Sequence, residues 1–192
     1  QADIALFGAT SGQQLNRVAK NLKGKMSLYI GPRETNWAFH FNTMKAPFNN
    51  LLAREAFAYA LDRVSFAKVA CKGNCEGAIA MAPKGHPYFS KKGAITFNLA
   101  KAKAKAKAYK TATGKALEFQ MPISDTVEST NDANLICGMM KKAGIGCSLM
   151  APVTSSAYIS RAFVFGQQVT WFNVMAGKYA EFANLFSTTS DL

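Results

Sequence analysis

Acidic residues are scarce in this sequence. The 192 residues hold 11 Asp and Glu against 23 Lys and Arg, a formal charge of +12. That imbalance gives a general attraction for anionic partners and identifies no site. Charge of either sign is also thin, at 18% against 49% apolar residues, which excludes a mainly disordered chain and provides for a buried core. Long apolar runs are missing: none approaches the roughly 18 residues that cross a bilayer, and no basic segment followed by an apolar one opens the chain. We expect a soluble domain, with any export signal already gone.

Histidine is almost absent, with His40 and His86 the two examples. Neither sits in a sequence context that makes it a base or a partner to a nucleophile. No G-x-S-x-G, Walker or G-x-G-x-x-G pattern occurs, so nucleophile-elbow and nucleotide-cradle chemistry have no support. We therefore expect no enzyme and no cofactor.

The four cysteines, Cys71, Cys75, Cys137 and Cys147, allow three disulfide connectivities, and free buried thiols also fit. Neither close pair has the C-x2-C spacing of a zinc site, so no metal is expected. Bonded cysteines would place the chain in an oxidising compartment.

What is present reads as alternating strands and helices. Asp3 to Ala9 and Met26 to Gly31 are strand-like apolar runs, the first beginning so abruptly that the chain reads as a fragment. In "NWAFHFNT", Trp37, Phe39 and Phe41 alternate with Ala38, His40 and Asn42, the period of a strand with one buried face. Asn49 or Asn50 can cap a helix running to about Ala70, with Ala53, Phe57, Ala60, Leu61, Val64 and Ala67 on its apolar stripe and Asp62 on its wet side. A Gly- and Pro-rich connection follows, whose start a Cys71–Cys75 bond would tie off.

Beyond the lysine-rich stretch, Leu117, Phe119, Met121 and Ile123 alternate as in a strand, and Ser129 to Asn131 offer caps for a helix with Ala133, Ile136, Met140 and Ala143 on one stripe. Gly144 ends that helix and "CSLMAPV" gives a further strand. Strand, helix and strand in this order make a βαβ unit, so the fold class is α/β. A short helix near Ser155 to Ala162, a strand in "QQVTWFNVM" and a helix at Lys178 to Phe186 complete the reading. Asp125, Glu128 and Asp132 lack the spacing of a calcium loop and read as carboxylates favoured near a helix start.

Trp171 and Phe172 are adjacent in a strand and so point to opposite faces. An aromatic near the end of a strand in an open α/β sheet lies where such sheets bind ligands.

Several stretches in order resemble one family, the family 5 extracellular solute-binding proteins of peptide, dipeptide and nickel ABC importers. "FNTMKAPFNNLLAREAFAYALDR" (Phe41 to Arg63) is similar to the family's FN, PF turn and following helix. "APKGHPYF", "FNLAKAKA" and "KKAGIGCSL" resemble its next loop, its next helix and a later helix-to-strand passage. The resemblance implies most of the second lobe of a type II periplasmic-binding-protein-like fold, a mixed sheet flanked by helices, with residues 1–192 a single α/β lobe, a fragment of a two-lobe protein, and residues 1–25 near the crossover between the lobes. It implies capture of a peptide or other small solute and delivery to a membrane permease, a periplasmic or extracellular location, anchoring of the full-length protein left open, and a monomer.

The resemblance also implies a ligand-facing Trp171, with Phe172 and Asn173 beside it; Gln168 and Arg161 precede this strand within reach of the cleft, and Arg161 reads first as a solvated arginine and second as a carboxylate clamp. Asn173 and Val174 stand where the family carries an aspartate that holds a peptide's amino terminus, a departure from the pattern. Asn173 can hydrogen-bond but supplies no charge. A sugar, another solute or a differently anchored peptide stays open.

The other reading is a polyanion-binding protein using Lys101 to Lys115, where six of the 23 basic residues fall. With the family reading, no nucleic acid partner is expected. Alanine and lysine both favour helix, so the run should form a solvated, loosely docked outer helix without a wide apolar face.

Overall fold

The computed structural model describes residues 12–25, 35–72, 74–80, 82, 84–87, 89–163 and 166–175. The strands expected at Asp3 to Ala9 and Met26 to Gly31 and the helix at Lys178 to Phe186 lie outside the described residues. Helix α1 spans Gly12–Asn21, and strand β1, Thr35–Phe41, carries the alternating aromatics. It pairs antiparallel with β4, Val169–Met175, so that Phe39 lies opposite Trp171 and Phe41 opposite Val169.

The expected single helix to Ala70 is two: α2 (Leu51–Ala60) and α3 (Arg63–Ala70). Asn50 caps the first, its side chain accepting from Leu52 N at 2.8 Å. The break comes at Leu61, in extended backbone, because Asp62 turns its carboxylate back on the next helix and accepts from Ser65 N (3.0 Å) and Ser65 Oγ (2.6 Å). Asp62 was assigned to a wet helix face; its short carboxylate instead serves as an N-cap. Restarting the helix also rotates Val64 out of the stripe, and it is exposed.

Helix α4, Leu99–Thr113, is the lysine run. Asn98 caps it by accepting from Lys101 N at 2.9 Å, and Gly114 closes it at φ 71°. Contrary to the loose docking expected, Ala102, Ala106 and Tyr109 are buried and α4 packs along α2, whose Ala53, Ala56, Phe57 and Ala60 are buried too. Lys105 meets Glu55 and Asn98 N donates to Tyr59 O, so the two helices run antiparallel. Small side chains on both surfaces let the axes approach closely, and an alanine seam needs no large apolar residue.

Strands β2 (Glu118–Met121) and β3 (Gly146–Leu149) pair in parallel across helix α5, Val127–Lys142, which is the expected βαβ unit. Thr126, not Ser129 to Asn131, caps α5, its hydroxyl accepting from Ser129 N at 3.2 Å. Ala133, Ile136, Met140 and Ala143 are buried as expected, and Gly144 ends the passage at φ 75°. Both disulfides are formed, Cys71–Cys75 and Cys137–Cys147, the second tying α5 to β3.

Phe48 meets Phe57 and Phe119 edge-on, and Phe57 meets Phe119 at a tilt, at ring distances between 5.3 and 6.0 Å, joining α2 and β2, while Phe39 and Phe41 contact Phe57 from β1. One core therefore lies between the helices and both strand pairs. The last helix among the described residues, α6 (Ser155–Phe163), sits beside β4.

Candidate functional site

The parallel strands end at a shallow depression. Beyond Met121 and Leu149 the pairing continues through Met150 N to Met121 O (3.0 Å), Val153 N to Ile123 O (3.2 Å) and Asp125 N to Val153 O (2.8 Å). The two strand ends are thus held side by side up to the first turn of α5. There Asp125, Thr126, Val127, Thr130, Asn131 and Pro152 line a depression of about 280 Å³, open to solvent. It occupies the carboxyl end of a parallel strand pair, where α/β sheets accept ligands.

The lining is chemically mixed. Asp125 and Asn131 are exposed, and Val127 presents an apolar side chain that is 73% exposed. The hydroxyl of Thr126 is engaged by the cap, and Ser129 Oγ accepts from Ser124 N at 3.0 Å, which fixes the turn. One turn further, Asp132 is half-buried, and burial, with Glu128 as the lesser cause, raises its carboxyl to about 6. No set of His, Cys, Asp and Glu able to hold a metal occurs among the described residues. Hydroxyl, amide, carboxylate and apolar surface together suit reversible binding, and no nucleophile–base pair accompanies them.

The residues singled out in the sequence do not converge on this depression. Trp171 is 8% exposed and belongs to the core, stacked on Phe39 at 5.8 Å and edge-on to Phe66 at 6.1 Å. Trp37 lies over it at 5.1 Å and is the outward aromatic of the pair. Phe172, on the other face, stacks on His40 at 4.0 Å, and burial lowers the His40 pKa. Asn173 is opposite Trp37 in the strand register; its side chain lies outside the described residues.

Gln168 is committed to the fold. Its side-chain oxygen accepts from Gln120 N at 2.8 Å and its nitrogen donates to Ala46 O at 2.8 Å, clipping the β1–β4 pair to β2. Arg161 is exposed in the last turn of α6. A residue the sequence reading passed over, Tyr158 of α6, donates its hydroxyl proton to Trp171 O (2.8 Å) and accepts from Trp171 N (3.1 Å). One phenol thus satisfies both backbone groups on the edge of β4 that β1 leaves free.

The signal for the depression lay in the βαβ reading itself. Its strand ends are Ser124 to Thr126 and Met150 to Val153, where Asp125 reads from sequence as a helix-start carboxylate.

These features define an α/β fold with an open depression at the carboxyl ends of its parallel strand pair. The sequence from 1 to 190 matches the family described as bacterial extracellular solute-binding proteins, family 5 (middle), and the chain belongs to that family. It is a family of solute-binding proteins, not of enzymes. Among solved structures, OppA of Listeria monocytogenes bound to peptide is similar at 18% identity and TM-score 0.75, over 90% of this chain and 37% of that one. The murein tripeptide binding protein MppA of Escherichia coli matches at 18% identity and TM-score 0.69, over 85% of this chain and 33% of that one. AgaA of A. tumefaciens R10, solved with agropinic acid, matches at 23% identity and TM-score 0.69, over 91% of this chain and 35% of that one. The chain therefore spans about a third of the length of these structures, and the likeness establishes the shared fold. No curated protein matches the sequence.

Proposed function

We propose that residues 1–192 form one lobe of a two-lobe receptor that closes on a small solute and delivers it to an ABC permease in the membrane. Residues 1–25 would then lie near the crossover between lobes. The observation that carries this reading is membership in a solute-binding family, and the depression at the strand ends of β2 and β3 is the candidate contact surface.

The favoured solute is a peptide. Asp125 offers a carboxylate for an ammonium group, Thr130 and Asn131 offer hydrogen bonds to peptide groups, and Val127 with Pro152 offers apolar contact. Asp125 thereby supplies the charge that Asn173 lacks. Apart from this depression, β4 offers Trp171, Phe172 and Asn173 as a separate candidate contact, Trp171 by supporting Trp37, and α6 offers the Arg161 guanidinium for a carboxylate. Gln168 acts by holding the start of β4. A periplasmic or extracellular monomer fits the two disulfides, which persist in oxidising compartments.

Isothermal titration of the full-length receptor with tripeptide and monosaccharide pools tests the reading. The expected result is saturable heat with peptides, reduced about tenfold or more in affinity by Asp125→Asn, since charge-assisted hydrogen bonds are worth about 1.5–3 kcal/mol. Binding of sugars alone, or no heat from either pool, would overturn it.

A further inference from the structure

Residues 77–117 contain nine lysines and neither an acidic residue nor an arginine, so this stretch carries most of the net charge of +12. The fold sorts these lysines. Around α4 the buried row Ala102, Ala106 and Tyr109 has lysines on both flanks. On one flank Lys101 lies 5.5 Å from the Tyr59 ring and Lys105 pairs with Glu55 at 2.6 Å. On the other, Lys103, Lys107 and Lys110 recur at four- and three-residue steps, which places them in one exposed row.

Lys84, Lys91, Lys92 and Lys115, before and after the helix, are exposed as well, and Phe97, just ahead of α4, is 47% exposed.

We infer that this row and the segment leading into it form a surface that holds the receptor on an anionic lipid bilayer. Lysine brings a mobile point charge on a flexible stem, without the planar fork by which arginine grips one phosphate. A lysine-only surface therefore reads charge density, as presented by dispersed, laterally mobile lipid headgroups. The exposed Phe97 ring adds the apolar group that interfacial segments sink below the headgroups. Membership in an extracellular family favours a membrane over nucleic acid as the polyanion met. The alanine seam keeps α4 rigidly docked on α2, so the row is presented as a fixed feature of the lobe. This surface does not depend on which solute is bound.

The test is co-sedimentation of the full-length receptor with vesicles of phosphatidylcholine alone or mixed with phosphatidylglycerol. Binding is expected to the mixed vesicles only and to weaken as salt is raised. Each lysine at such a surface is worth about fivefold, so K103Q/K107Q/K110Q should lose roughly a hundredfold. K103R/K107R/K110R should retain binding, K20Q/K23Q/K25Q should leave it nearly unchanged, and the solute affinity of every variant should stay at the parent value.

Failure to bind mixed vesicles at low salt would overturn the inference. So would equal losses in the two glutamine triples, which would mean a diffuse field, or tighter binding to duplex DNA or polyglutamate. Melting curves matching the parent exclude unfolding as the cause of a loss. Loss of lipid binding with solute binding intact, or the reverse, separates this inference from the proposed solute function.

Discussion

Replacing Ala102 by leucine distinguishes a tight helix seam from a loose one by the sign of its effect. Ala102 is 0% exposed on α4, and α2 presents Ala53 and Ala56, also 0% exposed, and Ala60 at 1%. If α4 were loosely docked, the added isopropyl group would find room and gain roughly 2 kcal/mol at about 0.8 kcal/mol per buried carbon. In a filled seam the same atoms force the helices apart or the side chain off its rotamer, at a cost of about 1–3 kcal/mol. Helix propensity does not confuse the comparison, because alanine and leucine are both strong formers. Urea unfolding followed by circular dichroism reads the difference, and with a slope of about 2 kcal/mol per molar the midpoint should fall by about 0.5–1.5 M. Lys103→Ala, one residue away on the exposed row, should change stability by no more than about 0.5 kcal/mol. A midpoint that stays put or rises in Ala102→Leu would refute the seam.

Gly77→Ala should lower the melting temperature clearly, because a Cβ there would lie 2.7 Å from the carbonyl carbon and oxygen of Arg63 and 2.8 Å from Val64 N, all backbone atoms that cannot step aside. Gln168→Leu should cost about 0.5–1.5 kcal/mol, since water replaces the amide at the exposed Gln120 N and Ala46 O; faster hydrogen exchange at the Gln120 amide would report it, and unchanged exchange would count against the clip. Asp132 holds its proton more tightly folded than unfolded, with a carboxyl raised from 3.8 to about 6, so its contribution is fully present below the lower value and lost as pH rises through the upper one. Asp132→Asn should accordingly flatten the stability profile between these values and stabilise the protein at pH 7, by about 1 kcal/mol once the group's half-exposure to water is allowed for.

Much of the fold was legible because it follows local periodicity. The two-residue alternation of Trp37, Phe39 and Phe41, and the stripe from Ala133 to Ala143, each point one way, and the strands and helix they imply are present. The break at Leu61 was hidden because the apolar pattern continues through it, and only the Asp62 carboxylate, two bonds from the backbone, decides that a new helix begins. Docking of α4 was misjudged for a related reason. Alanine carries little weight in an apolar count, yet it seals a helix pair when both partners use it.

The site was harder to read than the fold. Trp171 and Gln168 are chemically able to meet a ligand, but the use of Gln168 as a clip and of Tyr158 as a partner for the β4 edge depends on contacts spanning 48 and 13 residues. No local pattern encodes such contacts. The depression at Asp125 and Pro152 likewise exists only after the parallel pairing brings two distant strand ends together.

The central claim is that the strand-end depression of this lobe faces the solute. Hydrogen exchange of the full-length receptor with and without a bound tripeptide tests it most directly. The account predicts slower exchange on binding at the amides from Asp125 to Asn131 and at Ala151 and Val153, with α4 unchanged. Protection confined to other elements, or exchange at these amides that does not respond to saturating peptide, would contradict it.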